Sequence, residues 1–467
     1  MAGYVGADPD RLDALGQQLL GHAQQLDELR VQLTSQLFDA GWIGQDADDT
    51  RAEWESQHAP MIGRSMTVLH DLSQKLFVNA WQQRSASAAD DVTPPGFVPR
   101  EQVLAHTGDP ADTRRWWDSL SKQQREYLIL HQPQLVGSTD GIPARSRDAA
   151  NRVLLEQALR QEPHNRGLDT IRDRLNREDA PRAYLMLLDT SGDGKAIVAI
   201  GNPDKAANIV TFVPGTAADL SKVDLELAKA DVMYDDANGM DKTRPTSSVM
   251  WLGYESPPSI RDAMHAGYAL DARAGLDRFQ DGLRVTHDGP PSHNTVLGYS
   301  YGSTVVGLAD RDVGLAVDDL IFVGSPGVGV GHAGDLRVGA DHIWATTAAN
   351  DPIQYAVRPN PIIPQLTIPG MILDEIQGDL AHGHNPTRES FGANVFPSSP
   401  GDPLIKTVPV PITIPAPGVP FGLPNAPGIY LGTVDVPVGF DGHAHSQYWD
   451  RGNQARPHIA RIVTGNH

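Results

Sequence analysis

The segment Val296-Leu297-Gly298-Tyr299-Ser300-Tyr301-Gly302-Ser303 holds a serine flanked on each side by a glycine two residues away. An apolar run leads into it, and small residues follow from Thr304 to Ala309. A serine becomes nucleophilic when a tight strand-to-helix turn projects its hydroxyl above the sheet edge. Side chains at the flanking positions would strike the adjacent strand and helix, so glycine is expected there. The start of the following helix then offers backbone N–H groups to the charge developing on an attacked carbonyl oxygen. Ser300 is therefore the candidate nucleophile, and the Tyr301 N–H a candidate oxyanion donor.

A serine hydroxyl needs a base, and the base needs an orienting acid. Where the serine stands on such an elbow, acid and histidine follow it in that chain order. Two apolar runs later, Ile343 to Ala345 leads through Thr346-Thr347-Ala348-Ala349-Asn350 to Asp351-Pro352. An acid just past a strand's carboxyl end stands where open α/β sheets place their ligands, which makes Asp351 the candidate acid. Asp318 and Asp319 precede a strand instead. The downstream histidines are His382, His384, His443, His445, His458 and His467. His458 falls in an expected terminal helix, His467 is the last residue, and His382 and His384 lie early in a proline-rich stretch. His445 is the candidate base and His443 the alternative, because both stand at the return from that stretch, where a loop can carry an imidazole over the sheet. A second oxyanion donor normally comes from the loop after an earlier strand. Phe212-Val213-Pro214-Gly215-Thr216-Ala217 fits that description and nominates the Thr216 N–H.

Such a constellation needs a sheet to carry it. From residue 182 onward, short apolar runs stand at 184–188, 196–200, 209–213, 249–253, 295–298, 320–323 and 343–345. Helical stretches are expected between several of them, over 216–231, 259–281 and 301–313. This alternation predicts an α/β fold, a mostly parallel sheet with helices on both faces. The first two runs, joined by Asp189-Thr190-Ser191-Gly192-Asp193-Gly194, read as a hairpin. Residues 352–437 hold 17 of the 36 prolines and read as an excursion over the surface. Within it, Val408-Pro409-Val410-Pro411-Ile412-Thr413-Ile414-Pro415 cannot be a central strand. A helical stretch over 445–465 returns to the body.

Ahead of the sheet, residues 8–88 read as an antiparallel helix pair. Leu12, Leu15, Leu19, Leu26, Leu29, Leu33 and Leu37 form one apolar stripe at helical spacing, broken at Gly41-Trp42-Ile43-Gly44. A second stripe carries Trp54, His58, Met61, Leu69, Leu72 and Leu76. Two helices alone bury little apolar surface, so the pair needs a partner: a second copy, another protein, or the rest of the chain. Residues 90–99 read as a linker, and 110–180 as further helices.

Two resemblances attach to these regions. The arm resembles the WXG-type helical hairpins of actinobacterial type VII secretion, in its length and in the Trp-x-Gly turn at Trp42, Ile43 and Gly44. That resemblance implies docking against a similar hairpin. The chain from Trp116 onward is similar to an actinobacterial α/β-hydrolase family of unknown function. The likeness lies in Trp116-Trp117, Asp140-Gly141-Ile142-Pro143, Arg147-Asp148-Ala149-Ala150-Asn151-Arg152, Trp251-Leu252-Gly253-Tyr254, Gly298-Tyr299-Ser300-Tyr301-Gly302, Gly324-Ser325-Pro326-Gly327 and His445-Ser446-Gln447-Tyr448-Trp449. It implies an α/β-hydrolase fold and a triad at Ser300, Asp351 and His445, and carries no substrate with it.

Charge narrows the partners. Among 467 residues, 38 are basic and 58 acidic, a net charge of −20, which argues against nucleic acid or an anionic membrane as main partner. Without cysteine there is no disulfide, thiol nucleophile or cysteine-based metal site. The 189–194 loop mimics the start of an EF-hand, but Ile200 stands where a bidentate Glu is required. His382-Gly383-His384 lacks a third ligand at motif spacing. Neither metal nor cofactor is expected. No run approaches the ~20 apolar residues of a membrane span, and the polar, acidic start is unlike a signal peptide. The expected location is the cytoplasm, or outside the cell by a route that reads no such signal.

The expected organisation has three parts. A WXG-like helical hairpin occupies 1–90, and a linker and helical segment over 91–180 packs on the hydrolase. An α/β-hydrolase domain spans 181–467, with its proline-rich excursion at about 352–440. The expected activity is that of a serine hydrolase, esterase-, lipase- or thioesterase-like, working through an acyl-enzyme on a small-molecule or acyl substrate. Ile362, Ile363, Leu366, Ile368 and Phe421 in the excursion suit a lipidic one. The alternative is a type VII secretion-associated docking protein on an inactive hydrolase scaffold. In either case residues 1–90 could bind a helical-hairpin partner or a second copy.

Overall fold

The structure is a computed structural model, and it describes residues 8–39, 44–87, 96–355, 382–403, 405–415, 428–440 and 442–467. Trp42 and Ile43 of the Trp-x-Gly turn lie outside the described residues, as do Ile362, Ile363, Leu366, Ile368 and Phe421 of the excursion.

Eight strands form the central sheet: β1 (Ala183–Asp189), β2 (Lys195–Ile200), β3 (Asn208–Val213), β4 (Thr246–Leu252), β5 (His293–Tyr299), β6 (Asp319–Val323), β7 (Ile343–Thr346) and β8 (Asn394–Val395). Their order is β1-β2-β4-β3-β5-β6-β7-β8. β2 runs antiparallel to both neighbours, and every pair from β4 to β8 is parallel. The alternating pattern predicts this mostly parallel sheet, the resemblance implies its α/β-hydrolase fold, and β1 and β2 form the expected hairpin, closing with Asp189 opposite Lys195. β3 and β4 are buried throughout, as strands covered on both faces must be.

Two apolar layers sandwich the sheet. Helices Val223–Met240 and Ala455–Val463 pack on one face, Gly267–Thr286 and Tyr301–Asp312 on the other. The helix after β3 therefore goes to one face and the helix after β5 to the opposite one, although β3 and β5 are neighbours. The carboxyl ends of these two strands form the crevice at which a doubly wound sheet places its ligand.

Several boundaries differ from expectation for local reasons. The helix expected over 216–231 begins only at Val223, because Ala217 sits at φ 60° and Asp219 caps a short 3-10 turn, Leu220–Lys222. The helix expected over 259–281 is Gly267–Thr286. The proline-rich run is itself a strand: β9 (Ile405–Pro415) pairs antiparallel with β10 (Gly428–Phe440) in a separate two-stranded sheet. Each strand of such a sheet has an unpaired side, and Pro409, Pro411 and Pro415 share one parity, so their missing N–H groups can all fall there.

The helical segment has its own core around Trp116, Trp117, Leu128 and Ile142. It is clipped to the sheet through β1, an edge strand with open backbone groups. From helix Ala144–Gln161, Arg147 Nε donates to the Met186 carbonyl at 2.9 Å and Asn151 Nδ2 to that of Leu185 at 2.9 Å. Asp148 Oδ1 accepts the Leu185 N–H at 2.9 Å. The Arg-Asp-x-x-Asn run thus covers a sheet edge.

In the arm, helix Pro9–Asp39 packs along helix Ala59–Ser87. Among the described residues, Gly16 and Ala23 are buried on the first helix and Ser73, Phe77 and Ala80 on the second. A Cβ on Gly16 would lie 2.7 Å from Phe77 Cε1, so this close approach requires glycine. Leu15, Leu29, Leu33, Met61 and Leu72 are left exposed. Among the described residues no helix is long and apolar enough to cross a membrane.

Candidate active site

Ser300 stands between the end of β5 and helix Tyr301–Asp312, at φ 53° and ψ −129°. A non-glycine residue with positive φ costs of order 1–3 kcal/mol and persists only where its surroundings enforce it. The two glycines of the elbow explain how. A Cβ on Gly298 would lie 2.5 Å from Ser303 Cα, and one on Gly302 would lie 2.2 Å from the Val213 carbonyl oxygen. The Ser300 N–H is tied to the Val323 carbonyl of β6 at 3.0 Å, and Ser303 Oγ donates to the Ser300 carbonyl at 2.5 Å.

His445 arrives on a 3-10 turn, His443–His445, and Asp351 from just beyond β7. His445 Nε2 lies 2.9 Å from Ser300 Oγ, and its Nδ1 lies 3.0 and 2.9 Å from the two Asp351 oxygens. A carboxylate only accepts, so the proton sits on Nδ1 and leaves the Nε2 lone pair facing the serine hydroxyl. Asp351 is fully buried, whereas the His445 side chain is one-quarter exposed. His443, the alternative, is exposed two residues earlier on the same turn; it is His445 whose ring reaches Ser300.

The loop after β3 closes the other side. A Cβ on Gly215 would lie 2.7 Å from Ser300 Cβ, so glycine brings this backbone, and Thr216 next to it, against the serine. The Ala217 N–H donates to the Pro257 carbonyl at 2.8 Å and Tyr254 Oη to that of Pro214 at 2.8 Å, which fixes the loop. The Tyr301 N–H heads its helix and has no partner within it. The Tyr301 side chain points elsewhere, donating to the His265 carbonyl at 2.7 Å, and burial pushes its hydroxyl up to about 12.

Residues 189–361, spanning most of this sheet with Thr216, Ser300 and Asp351, match a family model described as Alpha/beta hydrolase. The uncharacterized protein Rv0963c of Mycobacterium tuberculosis is 33% identical over 188 residues, covering 38% of this chain and 70% of that relative. The chain belongs to an α/β-hydrolase family. Protein Mb0988c of Mycobacterium bovis matches to the same extent. A longer relative, the uncharacterized M. tuberculosis protein Rv2079, is 28% identical over 403 residues, covering 77% of this chain. The match spans only 56% of that relative's length.

This α/β-hydrolase supports its histidine with residues that motif reading did not single out. Tyr299 stacks on the His445 ring at 5.1 Å between centroids and donates its hydroxyl to the His445 carbonyl at 2.7 Å. Burial, followed by the charge of Glu226, holds that phenol far above its ordinary range, so it stays a donor. Lys229 Nζ lies 4.8 Å from the Tyr299 ring centroid and 2.8 Å from Glu226, a cation held on an aromatic surface beneath the site. Tyr448 Oη donates to Asp351 Oδ2 and accepts the Ala348 N–H at 2.9 Å, and the Ile353 N–H supplies Asp351 Oδ1 at 2.8 Å. Burial and the neighbouring Asp351 charge raise the Tyr448 hydroxyl far above its usual value. Gly324, at φ 55°, completes the packing: a Cβ there would lie 3.1 Å from Asp351 Oδ2 and 3.2 Å from His445 Cε1. Tyr299, Gly324 and Tyr448 fall inside the Gly-x-Ser-x-Gly, Gly-Ser-Pro-Gly and His-Ser-Gln-Tyr-Trp runs, whereas Glu226 and Lys229 stand on helix Val223–Met240. Their roles depend on contacts between distant strands, which no local spacing encodes.

Proposed function

We propose that this chain is a serine hydrolase cleaving an ester, thioester or amide through an acyl-enzyme. Ser300 Oγ attacks the carbonyl carbon while His445 Nε2 takes its proton. Asp351 holds the imidazole in the productive tautomer and stabilises the imidazolium. The N–H groups of Tyr301 and Thr216 receive the oxyanion. Collapse expels the leaving group, which takes the proton from His445. Water then attacks the acyl-serine with His445 as base, releasing the acid and restoring Ser300. The observation that carries this reading is the imidazole of His445, hydrogen-bonded at once to Ser300 Oγ and to Asp351. The apolar residues of the proline-rich excursion favour an acyl substrate. Treated with a fluorophosphonate, the chain should become modified at Ser300, and a chain that stays unmodified would overturn the proposal.

The exposed side chains of the arm favour a second role beside this one. Leu15, Leu29, Leu33, Met61, Val68 and Leu72 are 40–56% exposed on the two long helices. Apolar surface of that kind on a helical pair is suited to burial against another helical hairpin or a second copy. Leu29→Glu combined with Leu33→Glu should leave the fold intact and lower the mass of any assembly found by light scattering. An assembly that survives both changes would exclude this surface.

A further inference from the structure

Strands β5, β6 and β7 start together at the end of the sheet opposite Ser300, and side chains there converge on one carboxylate. Asp319 opens β6 and is 1% exposed. Its Oδ2 lies 2.9 Å from Nε2 of His293, the first residue of β5. Its Oδ1 accepts the Trp344 Nε1–H at 2.9 Å and also faces two more imidazoles, His342 Nδ1 at 3.3 Å and His467 Nε2 at 3.7 Å. The ligand atoms of Asp319, His342 and His467 all lie within 4.8 Å of one another.

A buried carboxylate needs hydrogen-bond partners, and His293 and Trp344 already supply one for each oxygen. His342 stands at a long hydrogen-bond distance and His467 beyond one, so neither is placed as a good donor. Their separations from Asp319 Oδ1, 3.3 and 3.7 Å, lie near those of neighbouring ligands of a small ion instead. With metal–ligand bonds of about 2.0–2.1 Å in a tetrahedron, adjacent donor atoms sit about 3.3–3.5 Å apart. Two imidazoles and one carboxylate suit zinc and its neighbours in the first transition row, whereas magnesium and calcium take oxygen ligands. The side chains of His342 and His467 are 52% and 23% exposed, which leaves an entry path and room for a water as fourth ligand.

We propose that Asp319, His342 and His467 form a divalent transition-metal site of zinc type, with His293 and Trp344 orienting the carboxylate from behind. Supporting hydrogen bonds of that kind fix the ligand and are costly to remove. β5 runs seven residues from His293 to Tyr299, so the site lies about 20 Å from Ser300. The ion touches no reacting atom. It ties the start of β6, the approach to β7 and the segment after helix Ala455–Val463 into one cross-link. This inference stands whether or not Ser300 is a nucleophile.

The full chain, stripped with a chelator and titrated calorimetrically with zinc chloride, should bind one zinc per molecule. His342→Ala and His467→Ala should each weaken binding about 100-fold or more, and Trp344→Phe about 10-fold. Zinc should raise the melting temperature of the parent chain and leave that of the two alanine variants unmoved. The parent and the two alanine variants should melt alike without metal, which separates lost ligation from lost folding. Absence of zinc binding, or one zinc retained at parental affinity by both alanine variants, would overturn the assignment.

Discussion

Ser300→Ala should reduce ester hydrolysis by the purified chain about 10^4- to 10^6-fold, with the melting temperature nearly unchanged. The proposed reaction begins with a bond from Ser300 Oγ to carbon, and alanine has no atom to form it. What survives is the contribution of the oxyanion donors and of substrate binding, which in related chemistry amounts to about 10^3–10^4 over water. In free energy the loss is about 5–8 kcal/mol. The substitution deletes one small oxygen, and Ser300 is only 8% exposed, so the Val323 and Ser303 hydrogen bonds to its backbone persist. A short p-nitrophenyl ester followed by absorbance is the assay. A variant within 10-fold of the parent would mean that the observed hydrolysis uses another group.

Asp351→Asn should cost about 10^4-fold in kcat at neutral pH. The two Asp351 oxygens accept from three donors: the Ile353 N–H at 2.8 Å, Tyr448 Oη, and His445 Nδ1, which is shared between both. An asparagine presents one NH2 in place of an oxygen. Turned one way the NH2 faces the Ile353 N–H, donor against donor; turned the other way it meets the Tyr448 hydroxyl, which loses the carboxylate oxygen it donates to. The amide also favours an imidazole protonated on Nε2, which can no longer take the Ser300 proton. Because the residue is fully buried, the mismatch should lower stability as well, by about 1–3 kcal/mol. Kinetics and thermal unfolding of the same sample separate the two effects. An asparagine variant with near-parental kcat would remove Asp351 from the mechanism.

How far these residues can be read from sequence depends on how local their signals are. Ser300 is legible because the elbow's steric demands fall on positions two residues either side, both glycine here. Asp351 is legible because a short apolar run ends six residues before it, at Ala345. His445 is reached only by weighing six histidines against the loop that could carry them. Tyr299, Gly324 and Tyr448 act through packing across separate strands and turns, and nothing in their neighbourhoods announces it. The same limit applies to secondary structure. The buried strands β3, β5 and β6 stand out as apolar runs, whereas β8 is two exposed residues held by pairing with β7. β9 is hidden by prolines that a two-stranded sheet tolerates and a central strand would not. In the arm, the leucine spacing falls on helix Pro9–Asp39, yet Leu15, Leu29 and Leu33 of that stripe are exposed while Gly16 and Ala23 are buried. Asp319, His342 and His467 are gathered from three separate elements, a cluster that no spacing rule would find.

If His445 makes the Ser300 hydroxyl reactive, the rate at which that hydroxyl is covalently captured depends on the imidazole. Exposed to a fluorophosphonate and followed by intact mass and peptide mapping, the parent chain should gain one adduct, on the peptide carrying Ser300. His445→Ala should acquire it about 10^3-fold more slowly or worse. A parent chain that remains unmodified, or a His445→Ala variant that reacts as fast as the parent, would mean that His445 does not activate Ser300.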